Sequence, residues 1–435
     1  LRFPSANRVG EAVLTKVLGH RGDPGIDTMT VVYGLGLPHE FAEEVLEDAR
    51  RQAEIFDETN LDGRLDLTKE TIVTIDPATA RDFDDAISLR RDRRGHWQLG
   101  VHIADVAHFV TPGGPLDRSA QERGTSAYLP RHVIPMLPEV ISNGLASLQE
   151  GQVRYTKSVF IEFDAEGRPR GAELANTAIR VSQRFAYEEV MPLVNNPESG
   201  KGKVSAAIVN QLQKMHTLAM ILRRNRFAEG ALQMGIPEVE IDFDNDGNIT
   251  GAHERHHDES HEVIEEFMLA ANIAVAQLLT AKDIPYLRRA HGHPDELRLK
   301  NFQEFCQGLG YEVEQFRSRA ALQQVIRDAA GQPDERAVNF ALLRTMKQAE
   351  YSPEAYGHFA LNEEHYCHFT SPIRRYPDLT IHRIVGEMAS GRKIKRDSMG
   401  DLLQLGKNCS LTERRAEKAE RELKRIKLLR YMESR

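Results

Sequence analysis

The chain has 435 residues, of which 40% are hydrophobic and 28% charged, and a formal net charge of −8 from 57 basic and 65 acidic side chains. Its length exceeds one typical core and points to a large domain with an appendage, or to two domains, of ordinary globular composition. No uninterrupted apolar run reaches the roughly 20 residues of a membrane span and Leu1-Arg2-Phe3-Pro4 lacks a secretory pattern, so the expectation is a cytoplasmic protein without a membrane partner.

In chain order, residues 1–35 read as a short, glycine-punctuated, strand-rich piece containing Val9-Gly10-Glu11-Ala12-Val13-Leu14 and Val17-Leu18-Gly19-His20. Within a linker region over 36–63, apolar Phe41, Val45, Leu46, Ala49 and Ala53 predict a helix from 38 to about 56. From 64 onward strands are expected over 72–75, 86–89, 97–110 and 159–163, the last closed by the turn Asp164-Ala165-Glu166-Gly167. Beyond about 205 the apolar period becomes helical, predicting helices over 206–227, 262–279, 334–350, 373–388 and 399–431. Sheet first and helices after is an α+β plan. The chain begins without Met and stops inside a charged helical pattern, and is expected to be a fragment.

Asp76, Asp82, Asp84 and Asp85 place four carboxylates in ten residues, directly after apolar Ile72, Val73 and Ile75. Such a cluster repels itself unless a cation sits among it, and a divalent metal is the usual solution. Hard oxygen ligands without histidine or cysteine suit Mg²⁺ and disfavour zinc. Two such ions bridged by carboxylates can drive phosphodiester hydrolysis. A calcium EF-hand is excluded, because Ile87 stands where its closing glutamate is needed and no glycine lies between Asp76 and Asp85. From these residues alone, a metal site and an exposed acidic loop both stay open. Cys306, Cys367 and Cys409 lack paired spacing, which argues against disulfides and thiolate zinc. His253, His256, His257 and His261 have metal-ligand spacing, but the Glu of a zinc-protease helix is misplaced, and a solvated surface is expected. The basic residues from Lys407 to Arg430 suit either a nucleic-acid channel or a solvated helix face.

The stretch from Thr74 to Ala86, with Gly124-Thr125-Ser126-Ala127-Tyr128-Leu129-Pro130, Val133-Ile134-Pro135-Met136-Leu137-Pro138 and the run from His368 to Asp378, resembles the ribonuclease II and ribonuclease R family, the ribonuclease R branch more closely. The resemblance covers about 64 to 432. It implies an RNB catalytic domain over 64–435, with a mixed or antiparallel sheet and surrounding helices, preceded by a remnant of an OB-like cold-shock barrel over 1–35 and lacking a C-terminal S1 domain. It further implies a monomeric, Mg²⁺-dependent, processive 3′ to 5′ exoribonuclease with two ions in catalysis and Mn²⁺ as a substitute. Such an enzyme hydrolyses single-stranded RNA to nucleoside 5′-monophosphates without an obligatory protein partner.

Carried over by resemblance, Asp76, Asp82 and Asp85 hold the metal and Asp84 is the cleavage-critical carboxylate. Arg374 clamps the scissile phosphate, and Arg375 is counted with the RNA contacts. Tyr128 matches the residue that stacks on the 3′-terminal base, and Met234 falls where relatives often place Phe. Tyr187 and one of Glu265 and Glu266 resemble residues that meet the ribose 2′-hydroxyl, the group that separates RNA from DNA. Glu420 is left outside the catalytic set. The competing readings are a catalytically inactive RNB-like RNA-binding regulatory protein and an enzyme acting on another phosphodiester, such as DNA or a cyclic nucleotide.

Overall fold

A computed structural model describes residues 13–14, 16–20, 23, 25–244, 249–312, 318–394 and 396–433. The expected strand around 9–14 falls mostly outside these residues, and 17–20 carry no regular structure. A helix, α1 (Ile26–Gly34), follows, and α2 (Glu43–Ile55) fulfils the helix expected in the linker.

The first half of the chain builds one mixed sheet from β1 (Leu65–Leu67), β2 (Val73–Asp76), β3 (Asp85–Arg91), β4 (Trp97–Ala104), β7 (Val153–Phe163), β8 (Pro169–Arg180) and β9 (Gln183–Ala186). Its order is β1-β8-β7-β4-β3-β2-β9; β1/β8 and β2/β9 run parallel and the other pairs antiparallel. Because successive side chains alternate faces, Trp97, Leu99, Val101 and Ile103 join one core with Val73, Ile75 and Ile87, while Ile72, Ala86 and Ala104 join another across the sheet. The expected strand over 97–110 stops at Ala104 and turns into the single-turn α3 (Val106–Phe109). A short hairpin, β5 (Ala127–Leu129) and β6 (His132–Ile134), follows α4 (Pro115–Arg123).

The first core is closed by α5 (Tyr187–Asn195), α6 (Ala206–Glu229) and α7 (Glu259–Ala281). α7 is long and apolar enough to cross a membrane by composition, yet 56% of its most apolar stretch is buried inside the fold. Between α6 and α7 lies the hairpin β10 (Val239–Phe243)/β11 (Ile249–Glu254). After the short β12 (Arg288–Ala290), α8 (Glu296–Gly308), α9 (Arg319–Ala329) and α10 (Glu335–Thr345) enclose a separate small core. The expected helix over 334–350 ends at Thr345, because Glu350–Ser352 forms β13 against β12.

Helix α11 (Tyr376–Ala389) starts three residues later than its apolar period predicts, since 371–375 are held as a loop. The last helix, α12 (Met399–Glu433), packs along β13, β5 and α1. Part of its basic surface is neutralised locally, by Lys418 with Glu422, Lys424 with Glu420, and Arg430 with Asp27 of α1.

Candidate active site

The carboxylate stretch bridges the end of β2 and the start of β3. Its irregular middle is pinned from outside: the Phe83 N–H donates to Ser147 Oγ at 3.1 Å, and that hydroxyl donates to the Arg81 carbonyl at 2.8 Å. The Ala104 N–H at the end of β4 donates to the Asp84 carbonyl at 2.8 Å. Arg184 of β9 donates to the carbonyls of Pro77 and Ala78, both at 3.1 Å, and lies over the Phe83 ring. Strand pairing and loop caps therefore force like charges together that would separate in water.

Against this stretch lies the loop 371–375. The Asp84 carboxylate, buried at 5% exposure, accepts the Ile373 N–H at 3.0 Å. The carbonyl of exposed Arg374 accepts the N–H of Ser126 at 3.0 Å and the hydroxyl of Thr125 at 3.1 Å, and the Tyr376 N–H donates to the Gly124 carbonyl. Gly124 has φ +68, and a Cβ there would meet Thr412 Oγ1 at 2.1 Å, so this junction requires glycine. Fully buried Asp378 holds the loop from behind, accepting the Ser371 N–H at 2.8 Å and Arg375 Nη2 at 2.7 Å.

The same segment leads into the β5/β6 hairpin. Ala127 and Leu129 face a core with α1 and α12, so the alternation turns Tyr128 outward, where its hydroxyl donates to Asp82 at 3.3 Å. Asp82, Asp84, Arg374 and Tyr128 thus belong to one constellation. Tyr187 joins it by register: Asp76 pairs with Ala186 in β2/β9, and Tyr187 is the next residue.

Electrostatically the constellation is unfinished. Burial holds the Asp84 carboxyl well above the ordinary carboxylate range, against the opposing pull of Arg374 and the Ile373 N–H. Asp76 is raised by burial and then by Asp85, with Arg184 pulling the other way, and Asp85 is raised by burial against Arg374 and Arg375. Asp76 Oδ2 is buried without a hydrogen-bond partner. An orphaned carboxylate oxygen among carboxyls raised by burial and mutual repulsion is what a bound cation would correct. Among the described residues, no three acidic, imidazole or thiol side chains converge closely enough to hold an ion between them. A hard cation that keeps several waters and shares a substrate phosphate needs only one or two carboxylates, and the donor set fits that requirement.

The remaining sequence-derived candidates separate. Arg375 is turned inward into its ion pair with Asp378, with a side chain 16% exposed, so its charge is used in holding the loop. Met234 packs on the small core of α8, α9 and α10, which accounts for an apolar residue at that position. Glu266 is buried and receives both Nε and Nη2 of Arg226, whereas Glu265 keeps a side chain 44% exposed with one longer contact to Arg226 at 3.3 Å. Of the two glutamates, only Glu265 has substantial surface left. Sequence reasoning missed Arg184 and Asp378 as organisers of the site, although Asp378 closes one of the motifs that carried the resemblance. It also missed His261, whose ring stacks on Tyr187; of the other histidines of that tract, His257 tilts against His261 and His253 pairs with Asp242 across β10/β11.

Comparison with known proteins matches residues 64–391 to the RNB domain and residues 1–42 to a cold shock domain. The chain is 36% identical over 429 residues to ribonuclease R 1 of Lactococcus lactis, covering 97% of this chain and 52% of the relative. It is 38% identical over 446 residues to ribonuclease R of Thermotoga maritima, covering 99% and 62%. It therefore spans between half and two thirds of the length of these relatives. Among solved structures, Mycoplasma genitalium RNase R in complex with ribose methylated single-stranded RNA superposes with a TM-score of 0.87 at 30% identity, covering 94% of this chain and 65% of that one. The same enzyme in complex with double-stranded RNA also gives 0.87 and 30%, covering 94% and 74%.

Proposed function

The chain belongs to the RNB-domain family, and from that premise we propose that it is a Mg²⁺-dependent, processive 3′ to 5′ exoribonuclease that hydrolyses single-stranded RNA to nucleoside 5′-monophosphates. The observation that carries the reading is the Asp84–Ile373 hydrogen bond, which sets the four-carboxylate stretch directly against the loop bearing Arg374. Hydrolysis of a phosphodiester needs an oriented water, charge neutralisation at the phosphate and a stabilised leaving oxygen.

Asp76, Asp82 and Asp85 are the carboxylates from which the one or two protein ligands of the metal would come, and the bound metal would supply charge neutralisation and an acidified water. Asp84, fixed by the Ile373 N–H, would orient the attacking water. Arg374, exposed yet close enough to offset the charge of Asp84 and Asp85, offers a planar fork to the scissile phosphate. Tyr128 presents an outward phenol beside Asp82 for the terminal base to stack on. Tyr187 and Glu265 would meet the ribose, with donor and acceptor capacity for a 2′-hydroxyl.

The test is a time course on 5′-labelled single-stranded RNA with Mg²⁺, with EDTA, with Asp84→Asn, and on DNA of identical sequence. Conversion to a short 5′-labelled end product, lost with EDTA and in the variant and absent on DNA, is the expected result. Binding of RNA without cleavage by the parent chain would refute the proposal in favour of a non-cleaving RNA-binding role.

A further inference from the structure

We infer that His261 is a positioning residue for Tyr187 and that discrimination of ribose from deoxyribose depends on the stack between their rings. The inference rests on the reading that Tyr187 meets the ribose. Tyr187 opens α5 directly after β9, so only its own two side-chain torsions set its plane unless a neighbour restrains it. Tyr187 packs against the large core, and the ring stacked on it is that of His261, 3.9 Å from the phenol, centroid to centroid, at an interplanar angle of 11°. One face of the phenol is thereby covered. Burial and the charges of Asp85 and Asp76 hold the Tyr187 hydroxyl above its ordinary pKa, which places the phenol in the field of the carboxylates.

His261 is itself immobilised. It is the third residue of α7, and in a capping box its Nδ1 lies 3.3 Å from the Asp258 N and 2.9 Å from Asp258 Oδ1, accepting from the first or donating to the second according to tautomer, while Asp258 accepts the Ser260 N–H. The side chain is 16% exposed, and the exposed His257 ring closes on it at 4.8 Å. Four residues on, one helical turn along the same face, is Glu265. The first turns of α7 thus carry both the support of the phenol and the glutamate that retains surface. The histidine tract, which spacing suggested as a metal site or idle surface, supplies this support through one member.

His261 has two separable functions, capping α7 and stacking on Tyr187, and two substitutions divide them. Gln at this helix position can close a capping box but has no ring; Phe has the ring but cannot cap. The assay is kcat and KM on an RNA strand and on the same strand with 2′-deoxyriboses in its last four positions, for the parent, Tyr187→Ala, His261→Gln and His261→Phe, with circular dichroism to verify folding. The expected result is a ratio of kcat/KM values that collapses in Tyr187→Ala, falls roughly 3–10-fold in His261→Gln, and is kept in His261→Phe. A ratio kept in Gln and lost in Phe would show a capping role and overturn the inference. So would equal loss in both, or parent-like ratios in both while Tyr187→Ala collapses; the last leaves the reading of Tyr187 standing. A parent-like ratio in Tyr187→Ala would remove that reading and the inference with it.

Discussion

Replacing Asp84 by Asn and by Ala should move stability and activity independently, because this carboxylate is both a functional group and a latch. Its buried oxygen accepts the Ile373 N–H at 3.0 Å. Ala leaves that donor unsatisfied in a dry site and opens a small void, together about 2–4 kcal/mol of lost stability. Asn keeps an acceptor in the same place and removes a negative charge that burial and the neighbouring Asp82 and Asp85 disfavour. The weaker neutral hydrogen bond offsets part of that relief, so Asn should lie within about 1 kcal/mol of the parent, on the stable side. Both variants should lose at least about 10²-fold in RNA cleavage. Urea unfolding followed by circular dichroism at neutral pH in EDTA, with m-values compared to show that the same transition is measured, gives the stabilities; decay of labelled RNA gives the rates. If Asn destabilises as much as Ala, the hydrogen bond is not what the side chain contributes. If Asn cleaves at the parent's rate, the carboxylate is not required.

Three further outcomes follow from the same geometry. Asp105 is fully buried between Arg64 and Lys157, each 2.8 Å from Oδ2, so Asp105→Ala would strand two cations and should lower the unfolding free energy by about 3–5 kcal/mol in urea titrations. Fully buried His382 is pushed down to about 4 by burial, so between about 4 and 6.5 the unfolded chain binds more protons. Its contribution is present above about 6.5 and is lost as pH falls toward 4, on the order of 3 kcal/mol; a parent-minus-His382→Asn difference in unfolding free energy that is flat across this window would refute it. Gly406 of α12 approaches the Tyr351 carbonyl so closely that a Cβ would lie 2.4 Å from the oxygen; Gly406→Ala should therefore displace α12 from β13 and cost about 1–3 kcal/mol, read as a lowered urea midpoint.

The α+β order was legible because period-2 and period-3.6 patterns come from burial on one or both faces, and the strands of the large sheet all precede the longest helices. The misread boundaries have local causes. The apolar period of α11 runs back through Ile373, but Asp378 and Asp84 take the N–H groups of Ser371 and Ile373 and hold 371–375 as a loop. The long β8 escaped notice since its outer half is largely exposed and polar. In the site, carboxylates clustered in sequence stood out, whereas Arg184 acts through partners 106 and 107 positions away and His261 through one 74 positions away, a relation no spacing rule displays. By sequence, Arg375 is counted with the RNA contacts beside Arg374. Only the fold shows that Arg374 stays exposed with Nη2 near Ser371 Oγ while Arg375 binds Asp378.

The separation of Asp84 and Ile373 by 289 positions also bears on how such a site is kept together. Carboxylates raised by burial and repulsion work against the folded state, and the cations that pull them back, Arg184, Arg374 and Arg375, lie outside 76–85. Compensation comes from elsewhere: Ser147 pins the stretch, Arg184 clamps its turn, and Gly124 and Asp378 fasten the loop that carries Arg374. Each of these groups contributes only a modest increment, but together they make the constellation contingent on the whole domain being folded. A cation or an RNA phosphate entering this site would meet its groups already in position, and its binding free energy would add to the stability of the fold rather than be used in gathering the carboxylates.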